Sequence, residues 1–464
     1  MNSLELFSGA GGLALGIHLA GFRHLAVVER DHDSCNTLRA NGSSSSGNGL
    51  SWPVMEADVA ELDYSLLRQF GPVHLLAGGP PCQPFSLGGK HAGQSDRRNL
   101  FPQVFKAMRE LRPQAVLIEN VRGLVRESFK PYFQYILDQM ALPELPALPN
   151  ETWRDHAERL AGAQLRKGQY PSASCYDVWW QLYNVADFGI PQERFRVFFV
   201  AFRRDLGITW QFPYPLHSRE ALLYSLLVDH SYWEEHGLAP QPVPSYLSVQ
   251  VSRLKASPRP LFSRWRTVRD AIGDLPDPKD QSSHYDDHLF IPDARSYPGH
   301  TGSPWCWPAK TIKAGDHGNP GGENMLRHQD GSVRYFTVRE LARLQTFPDW
   351  WRFPSSWSES RRQLGNAVPV DMAKTLATLI HEKLTICQRR VRQVWNNETK
   401  ICYGFGKHGD DPLTRSNTRS PWDTLHPGRK WASTEGNKPY HLSPEEIAAS
   451  ITEHLRKNPP ATSN

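Results

Sequence analysis

The sequence predicts an α/β fold, in which a doubly wound and mostly parallel sheet carries a ligand site at one edge. Up to about residue 203, short apolar runs alternate with amphipathic stretches, as strands alternate with helices in such folds. The glycine turn "FSGAGGLALG", residues 7–16, follows the first apolar run and opens the first amphipathic stretch. Doubly wound sheets bind ligands at the carboxyl ends of their strands, so this turn lies where a ligand is expected.

Five apolar runs are predicted to be strands, and four stretches between them are predicted to be helices. The strands are Leu4–Phe7, His24–Glu29, His74–Ala77, Ala115–Ile118 and Arg196–Phe202. The helices are Gly12–Ala20, Ser34–Ala40, Phe101–Leu111 and Pro131–Met140. Residues 41–51 are rich in Gly and Ser and predict a loop, while residues 142–175 look like an insertion with a helix at Thr152–Leu165.

The alternation stops after about residue 204, which predicts a second, smaller and loop-rich domain over residues 205–345. Residues 205–336 are rich in Pro, Trp, Tyr, His and Gly and contain few long periodic runs. Helical periodicity returns at Val338–Gln345 and at Val370–Lys383, and residues 365–385 are expected to complete the first domain, residues 1–204. Residues 386–464 form a polar, Arg-rich C-terminal extension whose role the pattern leaves open.

Composition narrows the class of protein. The net charge of +5 is small for 464 residues, so it permits a nucleic-acid partner without demonstrating one. The six cysteines are scattered and none has C-x-x-C spacing, which predicts no metal site and favours a reducing, cytoplasmic setting. We expect no secretion signal and no membrane span, because no sufficiently long apolar run occurs.

The glycine turn itself predicts a ligand at a helix N-terminus. Gly9, Gly11 and Gly12 permit close approach of the backbone, and Gly9-x-Gly11-x-x-Ala14 fits a loose dinucleotide fingerprint. Glu29, at the end of the next strand, is suited to bind ribose hydroxyls. NAD, another adenosine cofactor and a tight turn without a ligand all fit this pattern.

The segment "GGPPCQPFS", residues 78–86, predicts a reactive cysteine. Two prolines fix the backbone before Cys82, on a loop that follows a predicted strand. An unassisted thiol has a pKa of about 8.5 and is mostly protonated at neutral pH. The alternatives are a nucleophilic thiolate and a structural cysteine in a rigid turn, and the nucleophile is favoured because a turn does not require sulfur.

Two further segments place charged residues in apolar strands. Glu119, in "LIENVRGL", is costly there without a partner, so either a raised pKa or a salt bridge to Arg122 or Arg126 is expected. Arg194 and Arg196, in "PQERFRVFFVAF", point to one face of a strand start. They suggest an anionic ligand or a held carboxylate, although a solvated edge strand would carry them equally well.

The order of these segments decides between the alternatives. "ELFSGAGG", "VVERD", "GGPPCQPFS", "ENVRGL", "QERFR", "RELARLQTFPDWW" and "QLGNAVPV" succeed one another as the motifs of the DNA cytosine-5 methyltransferase family do, and the sequence resembles that family. The resemblance covers roughly residues 1–385, except the two interruptions and most of residues 205–300. With no regulatory domain expected before the first motif, the chain resembles the stand-alone enzymes of bacterial restriction–modification systems.

The resemblance implies a class I, Rossmann-like methyltransferase fold whose cofactor is S-adenosyl-L-methionine, which displaces NAD. It makes residues 1–204 the catalytic domain and residues 205–345 the target-recognition domain. The implied cofactor-binding residues are Phe7, Gly9, Gly11, Gly12, Leu13, Glu29, Asp58, Pro80, Asn366 and Val368.

The resemblance also implies the chemistry. Cys82 adds to C6 of a cytosine flipped out of duplex DNA, which makes C5 nucleophilic toward the methyl group. Glu119 contacts N3 and the exocyclic amine, Arg196 holds Glu119 or the base, and Arg194 binds the cytosine O2.

The implied partner is double-stranded DNA, with Gln83, Ser86 and Thr311 as DNA-contacting residues. We expect a monomer without membrane contact, and a cognate restriction endonuclease as a functional partner. The C-terminal extension is interpreted as a DNA-gripping segment, a specificity aid or a partly disordered appendage, with the last two favoured.

Three other functions share some of these sequence features. A tRNA cytosine-5 methyltransferase would keep the motifs, but that branch carries a "CFT" signature that is absent from this sequence. A zinc cytidine deaminase needs P-C-x-x-C, whereas Cys82 is followed by Gln-Pro-Phe-Ser. A non-catalytic DNA-binding scaffold is disfavoured because every expected chemical residue is present. Residues 205–336 do not reveal the recognition sequence, because specificity depends on loop geometry and base-edge contacts.

Overall fold

Seven strands in the described part of the chain form the central sheet. The computed structural model describes residues 1–42, 50–81, 99–165, 170–242, 245–280, 285–298, 301–315 and 324–403. The strands are β1 (Asn2–Leu6), β2 (Arg23–Glu29), β3 (Val54–Glu56), β4 (Leu75–Gly78), β5 (Ala115–Val121), β6 (Tyr176–Asn184) and β7 (Phe195–Arg203). Their order across the sheet is β3-β2-β1-β4-β5-β7-β6.

Helices and two small sheets complete the described residues. The helices in the first half are α1 (Gly12–Leu19), α2 (His32–Gly42), α3 (Tyr64–Arg68), α4 (Phe101–Leu111), α5 (Lys130–Ala141) and α6 (Trp153–Leu165). Those in the second half are α7 (Arg219–Leu227), α8 (Ser231–Glu235), α9 (Ser248–Ala256), α10 (Val268–Ile272), α11 (Val338–Leu344), α12 (Trp357–Asn366) and α13 (Val370–Tyr403).

The small sheets and the 3-10 turns lie between these helices. The small sheets pair β8 (His217–Ser218) with β9 (Ser263–Arg264), and join β10 (Ser303–Pro304), β11 (Met325–Arg327) and β12 (Val333–Tyr335). The 3-10 turns are Arg122–Val125, Glu127–Phe129, Ser172–Ser174, Val185–Phe188, Arg204–Leu206 and Ser245–Leu247.

The central sheet is doubly wound, as the sequence predicts. β1 pairs in parallel with both β2 and β4, so the chain moves outward from β1 in opposite directions. This reversal leaves a crevice at the carboxyl ends of β1 and β4, the usual ligand position in such sheets. β7 is antiparallel to both β5 and β6, and its first residues therefore lie at the same edge as the last residues of β5.

Apolar side chains cover both faces of the sheet. On one face, Leu4 of β1 and Phe199 of β7 belong to the same buried cluster as Ile136 of α5. On the other face, Leu117 of β5 is clustered with Met372 of α13. α13 therefore packs on the sheet built by the first half of the chain, which is the position predicted for the helix at Val370–Lys383.

The strands that the sequence did not predict are those without a clear pattern. β3 has only three residues, which is too short to show a period. β6 reads "YDVWWQLYN" at the edge of the sheet, and most of its side chains on both faces are half-buried. Without one buried face, the alternation that identifies a strand is lost.

Residues 205–345 hold more helix than their composition predicts. α7, α8, α9 and α10 span five to nine residues each, which is too short for amphipathic periodicity to show in the sequence. α12 was likewise not predicted, and α13 extends well beyond the predicted end at Lys383.

The chain divides into two compact units, Met1–Val391 and Arg392–Asn464. The predicted boundary between a catalytic and a target-recognition domain falls inside the first unit and stays a prediction. Within the described ranges, no helix has both the length and the apolar character that crossing a bilayer requires.

Replacing Gly16 by alanine tests the packing of α1 against α13. A Cβ at residue 16 would lie 2.4 Å from the Ala373 Cβ and 2.6 Å from the Lys374 backbone nitrogen, and neither atom can rotate away. We expect Gly16→Ala to lower the free energy of unfolding by about 1–3 kcal/mol in urea titrations.

Gly162→Ala is the matched control, because a Cβ there would meet nothing within 4 Å on α6. This substitution should stabilise by about 0.5–1 kcal/mol, since alanine loses less conformational freedom in a helix. Equal effects of the two substitutions would contradict the close approach of the two helices.

Candidate active site

The charged residues singled out from the sequence gather at one edge of the central sheet. Glu29 and Glu119 lie at the carboxyl ends of β2 and β5. Arg196 is the second residue of β7, and it pairs in register with Val121 of β5. Because β7 runs antiparallel to β5, the start of one strand meets the end of the other.

Glu119 and Arg196 form a buried ion pair. The Arg196 Nε lies 2.6 Å from the Glu119 Oε1, and the two side chains are 13% and 9% exposed. Of the two alternatives predicted for Glu119, a raised pKa and a salt bridge, the structure has both, although the partner is Arg196 rather than Arg122 or Arg126. Arg122 instead stacks on the ring of Phe195.

The pKa of Glu119 is raised by burial, and the charges of Arg196 and Arg194 oppose this shift only in part. A raised pKa favours the protonated form of a carboxyl group, which is able to donate as well as accept a hydrogen bond. Such a group beside a fixed cation suits a site where a ligand nitrogen changes its protonation during a reaction.

Arg194 is not placed to contact a ligand, contrary to the predicted contact with a cytosine O2. Its side chain is fully buried, and its Nη1 and Nη2 donate to the backbone oxygens of Ile312, Gly365 and Ala367 at 2.7–3.1 Å. Alternation along the strand was expected to direct the side chains of Arg194 and Arg196 toward one ligand. In the structure the two side chains contact different partners. Arg194 joins β7 to the segment after Thr311 and to the end of α12.

Two buried glutamines extend this junction, and the sequence patterns did not identify them. The Gln192 Nε2 donates to the Gln345 Oε1 at 3.1 Å, and the Gln192 Oε1 accepts from the Ile312 backbone N–H at 3.1 Å. The Gln345 Nε2 donates to the Ala367 oxygen at 3.1 Å. Both glutamines lie in quoted motifs, "QERFR" and "RLQTF", but no periodic pattern marks an amide as buried.

The residues of the glycine turn differ in their local surroundings. Gly9 has a φ of +51°, and a Cβ there would meet nothing within 4 Å, so a ligand has room to approach its backbone. At Gly12 a Cβ would lie 2.2 Å from the Val368 oxygen, which means that this glycine serves the packing against the segment before α13. Gly11, with a φ of +86°, packs against Leu38. The turn also holds Phe7 at a positive φ of 58°, which is strained for a residue with a side chain.

Glu29 is fixed by backbone donors. Its carboxylate accepts hydrogen bonds from the backbone N–H groups of Gly9, Arg30 and Asp31 at 2.8–2.9 Å. These bonds tie the glycine turn to the end of β2 and orient the carboxylate at the crevice. An acid held in this way is suited to accept from the hydroxyls of a ribose.

An open cavity lies beside Glu29 at the carboxyl ends of the first strands. Its lining residues are Phe7, Val28, Glu29, Arg30, Ala57, Asp58, Val59, Pro81 and Leu100. The apolar side chains suit a flat ring, and the two carboxylates suit the hydroxyls and the amine of an adenosine. The Arg30 Nη1 lies 3.4 Å from the Asp58 Oδ2, so it covers one side of the adenine-binding acid predicted from the sequence.

Other predicted cofactor residues lie beside this cavity but do not line it. Leu13 and Val368 are buried in one apolar cluster, and Asn366 is the exposed last residue of α12. Pro80 is buried, and its backbone oxygen accepts a hydrogen bond from the Asn120 Nδ2 at 3.2 Å. The cavity wall at this point is Pro81 instead.

Thr311 is half-buried, and its hydroxyl donates to the Glu193 backbone oxygen at 2.6 Å. Its predicted DNA contact therefore has to use the oxygen lone pairs or a rotated hydroxyl. Cys82, Gln83 and Ser86 lie outside the described residues. The described ranges contain no group of His, Cys, Asp and Glu able to hold a metal ion.

Comparison with protein families gives two matches. The model described as C-5 cytosine-specific DNA methylase matches residues 1–142 and 172–382, and the gap coincides with the predicted insertion. A model described as the Eco29kI GIY-YIG domain matches residues 368–455, which include most of the C-terminal extension.

Curated relatives extend over most of the chain. The Type II methyltransferase M.NgoMIV of Neisseria gonorrhoeae is 30% identical over 389 residues, covering 82% of this chain and 97% of the relative. The Type II methyltransferase M.Eco47II of Escherichia coli is 31% identical over 377 residues, covering 80% of this chain and 76% of the relative.

Among solved structures, an Escherichia coli prophage protein described as a candidate DNA modification methyltransferase superposes with a TM-score of 0.51 at 20% identity. The superposition covers 83% of this chain and 99% of that chain. At this level of identity the likeness supports the fold alone, and it agrees with the doubly wound sheet described above.

Arg194→Lys tests the junction beneath the ion pair. A lysine ammonium cannot reach three backbone oxygens in the geometry of a guanidinium, so buried carbonyl groups lose their donors. We expect the free energy of unfolding to fall by about 2–4 kcal/mol in urea titrations.

Arg259→Lys is the control for this substitution, because Arg259 is 72% exposed and pairs with Asp229 across 3.1 Å. It should change the free energy of unfolding by less than about 0.5 kcal/mol. A loss at Arg194 no larger than the loss at Arg259 would show that the junction contributes little.

Proposed function

Since the chain belongs to the C-5 cytosine-specific DNA methylase family and is a DNA cytosine-5 methyltransferase of the restriction–modification type, we propose that it transfers the methyl group through a covalent adduct of Cys82. The observation that carries this proposal is the Glu119–Arg196 pair, which lies beside Gly79, three residues before Cys82 in the sequence. Asn120, the neighbour of Glu119, bonds the Pro80 oxygen and so fixes the backbone at that residue.

Methyltransferases of this family use S-adenosylmethionine, which supplies an electrophilic methyl group when bound. We propose that Glu29 holds its ribose, that Asp58 accepts from its adenine amine, and that Phe7 contacts the adenine ring. The cavity between these side chains, which combines apolar walls with two carboxylates, supports the assignment. The open backbone at Gly9 leaves room for the remainder of the cofactor.

The reaction begins at the sulfur. The Cys82 thiolate adds to C6 of the cytosine, and the electron pair of the C5–C6 bond becomes available at C5. With the cofactor bound, C5 would take the methyl group as the methyl–sulfonium bond breaks and leaves its electron pair on that sulfur. Loss of the C5 proton to water would then restore the double bond and expel Cys82 as the thiolate. The sequence has prolines on both sides of Cys82, and proline restricts the backbone. An error of about 1 Å in the position of such a nucleophile can cost about 100-fold in rate.

Glu119 stabilises the adduct through N3 of the base. As the sulfur adds to C6, negative charge develops at N3, and a carboxyl with a raised pKa is able to donate a hydrogen bond there. Burial is the cause of the raised pKa, and the charge of Arg196 opposes this shift. In this account Arg196 keeps the predicted role of holding Glu119.

We propose a positioning role for Arg194 in place of the predicted contact with the base. Its bonds to the segment after Thr311 and to the end of α12 fix three parts of the chain around the start of β7. Arg196 is two residues away, so its direction toward Glu119 depends on this anchor.

The target atom is inaccessible in a duplex, so the cytosine has to be extruded at a cost of a few kcal/mol. We propose that Gln83 and Ser86 fill the gap or contact the phosphate, and that Thr311 contacts the DNA at the rim. The methylated site would protect host DNA from a cognate endonuclease in the cytoplasm. The enzyme is proposed to act as a monomer.

A second function is proposed for the C-terminal extension. Residues 386–464 contain twelve Lys and Arg against eight Asp and Glu, and so carry most of the net charge of the chain. Neither of the tripeptides GIY and YIG, after which the matched domain is named, occurs in residues 368–455. We therefore propose DNA binding rather than DNA cleavage for this segment, which supports the DNA-gripping alternative.

Cys82→Ser tests the main proposal. A serine hydroxyl is a far weaker nucleophile than a thiolate, so we expect methyl transfer to duplex DNA to be lost while DNA binding is retained. Duplex containing 5-fluorocytosine, whose C5 cannot lose a proton, should form a stable adduct with the unchanged protein and none with the variant on denaturing gels.

Two results would contradict the proposal. Equal trapping by the serine variant would remove Cys82 from the mechanism, and labelled methyl groups in tRNA but not in duplex DNA would favour the tRNA alternative. Bisulfite sequencing of host DNA after expression reports the modified base and its sequence context.

The paired variant Arg429→Gln/Lys430→Gln tests the C-terminal extension. We expect weaker binding of duplex DNA. The slope of log affinity against log salt concentration should become shallower by about 0.9 for each phosphate that the variant no longer neutralises. Arg456→Gln/Lys457→Gln removes the same charge just beyond the matched residues and should have a smaller effect. Equal effects of the two pairs, or cleavage of the DNA by the unchanged protein, would contradict this role.

A further inference from the structure

Arg361 of α12 is a buried arginine that lacks the usual partners. The residue is 5% exposed, and its Nε and Nη1 are buried without a hydrogen-bond partner among the described residues. The same part of the structure contains no carboxylate within ion-pair distance of it. Arg362, the next residue, differs clearly, since it forms ion pairs with Glu359 and Asp31.

The guanidinium of Arg361 is held between an aromatic ring and a glycine. It lies 5.2 Å from the centre of the Trp357 ring, and a Cβ at Gly315 would be 2.7 Å from its Nη1. Gly315 has a φ of +73°, a conformation that favours glycine, so the backbone can lie directly on the guanidinium. These neighbours fix the position of the charge without neutralising it.

A buried cation without a counter-ion is costly. Burial lowers the pKa of Arg361, but arginine keeps its proton in proteins, so the charge persists. An arriving anion would recover both the lost hydrogen bonds and the electrostatic energy. The flat, forked guanidinium is the side-chain group best matched to the oxygens of a phosphate.

The location of Arg361 connects it to the proposed reaction site. Gly365 lies one helical turn further along α12, and a Cβ there would be 2.2 Å from the Ala314 backbone nitrogen. Residues 314 and 315 therefore cross the helix face that presents Arg361. This segment follows Thr311, the proposed DNA contact, and Arg194 fixes it by donating to the Ile312 oxygen.

We propose that Arg361 binds a backbone phosphate of the DNA substrate at the rim next to Thr311. The inference rests on the proposed function, because it takes duplex DNA as the ligand. In the free protein the guanidinium is charged, and its buried Nε and Nη1 lack acceptors among the described residues. A phosphate supplies these acceptors when residues 314 and 315, which lie over the guanidinium, move aside.

Arg361→Gln is the test. Removing a charge-assisted hydrogen bond to the phosphate should weaken duplex binding by about tenfold, and reduce the slope of log affinity against log salt concentration by about 0.9. Binding of S-adenosylmethionine should be unchanged. The melting temperature of the free protein should stay the same or rise, because the substitution removes an unpaired buried charge. Arg361→Lys, which keeps the charge without the fork, should retain the salt slope and recover part of the affinity.

Arg352→Gln is the matched control, since Arg352 is 67% exposed and paired with Asp286 across 3.0 Å. It removes the same charge and should leave the affinity for DNA nearly unchanged. Titration with inorganic phosphate separates the possible anions. If millimolar phosphate raises the melting temperature of the unchanged protein, and Arg361→Gln has no effect on duplex binding, the site binds a free anion and the proposal is overturned.

Two other results separate this inference from the proposed function. A lower melting temperature with an unchanged salt slope in Arg361→Gln would make Arg361 structural and overturn the inference. Failure of the unchanged protein to bind duplex DNA would overturn the proposed function itself, whereas duplex binding that is equal in the unchanged protein and the variant overturns only the phosphate site.

Discussion

The buried guanidinium of Arg194 is the interaction on which the arrangement of the active site depends. It brings backbone oxygens of Ile312, Gly365 and Ala367 to the first residues of β7. These oxygens belong to segments more than 100 residues further along the chain. The Glu119–Arg196 pair, the rim at Thr311 and the helix that presents Arg361 all lie next to this anchor. A charge in the protein interior thus adds directional bonds to a junction that apolar packing also makes, since Val200 of β7 is clustered with Val368 and Met372.

The sequence predicted five of the seven strands of the central sheet, for reasons that are local. Alternating apolar and amphipathic stretches reflect the burial of strands between two helical layers, and the glycine turn marks the first crossover. Glu119 was identifiable because a carboxylate is costly in an apolar strand, and the structure accounts for it with Arg196. Features that depend on residues close together in the chain were therefore predicted correctly.

Other features depend on the meeting of distant segments, which a sequence pattern does not record. Alternation along β7 placed Arg194 and Arg196 on one face but did not reveal that one would meet three carbonyl groups and the other a carboxylate. Gly12 is one of the cofactor-binding residues implied by the resemblance, although the atom nearest to an added Cβ is the Val368 oxygen. Gln192 and Gln345 were missed because their burial results from the meeting of β7, α11 and α12. The edge strand β6 was missed because it lacks one consistently buried face.

The dependence of an early strand on late residues has a consequence for the biosynthesis of the enzyme. A ribosome that has made the first 300 residues has released every strand of the central sheet, yet none of the three oxygens that receive the Arg194 guanidinium. Until α12 and the segment after it emerge, that cation has to remain hydrated and the sheet cannot close around it. Arg194 therefore receives its full set of acceptors only after residue 367 has been made.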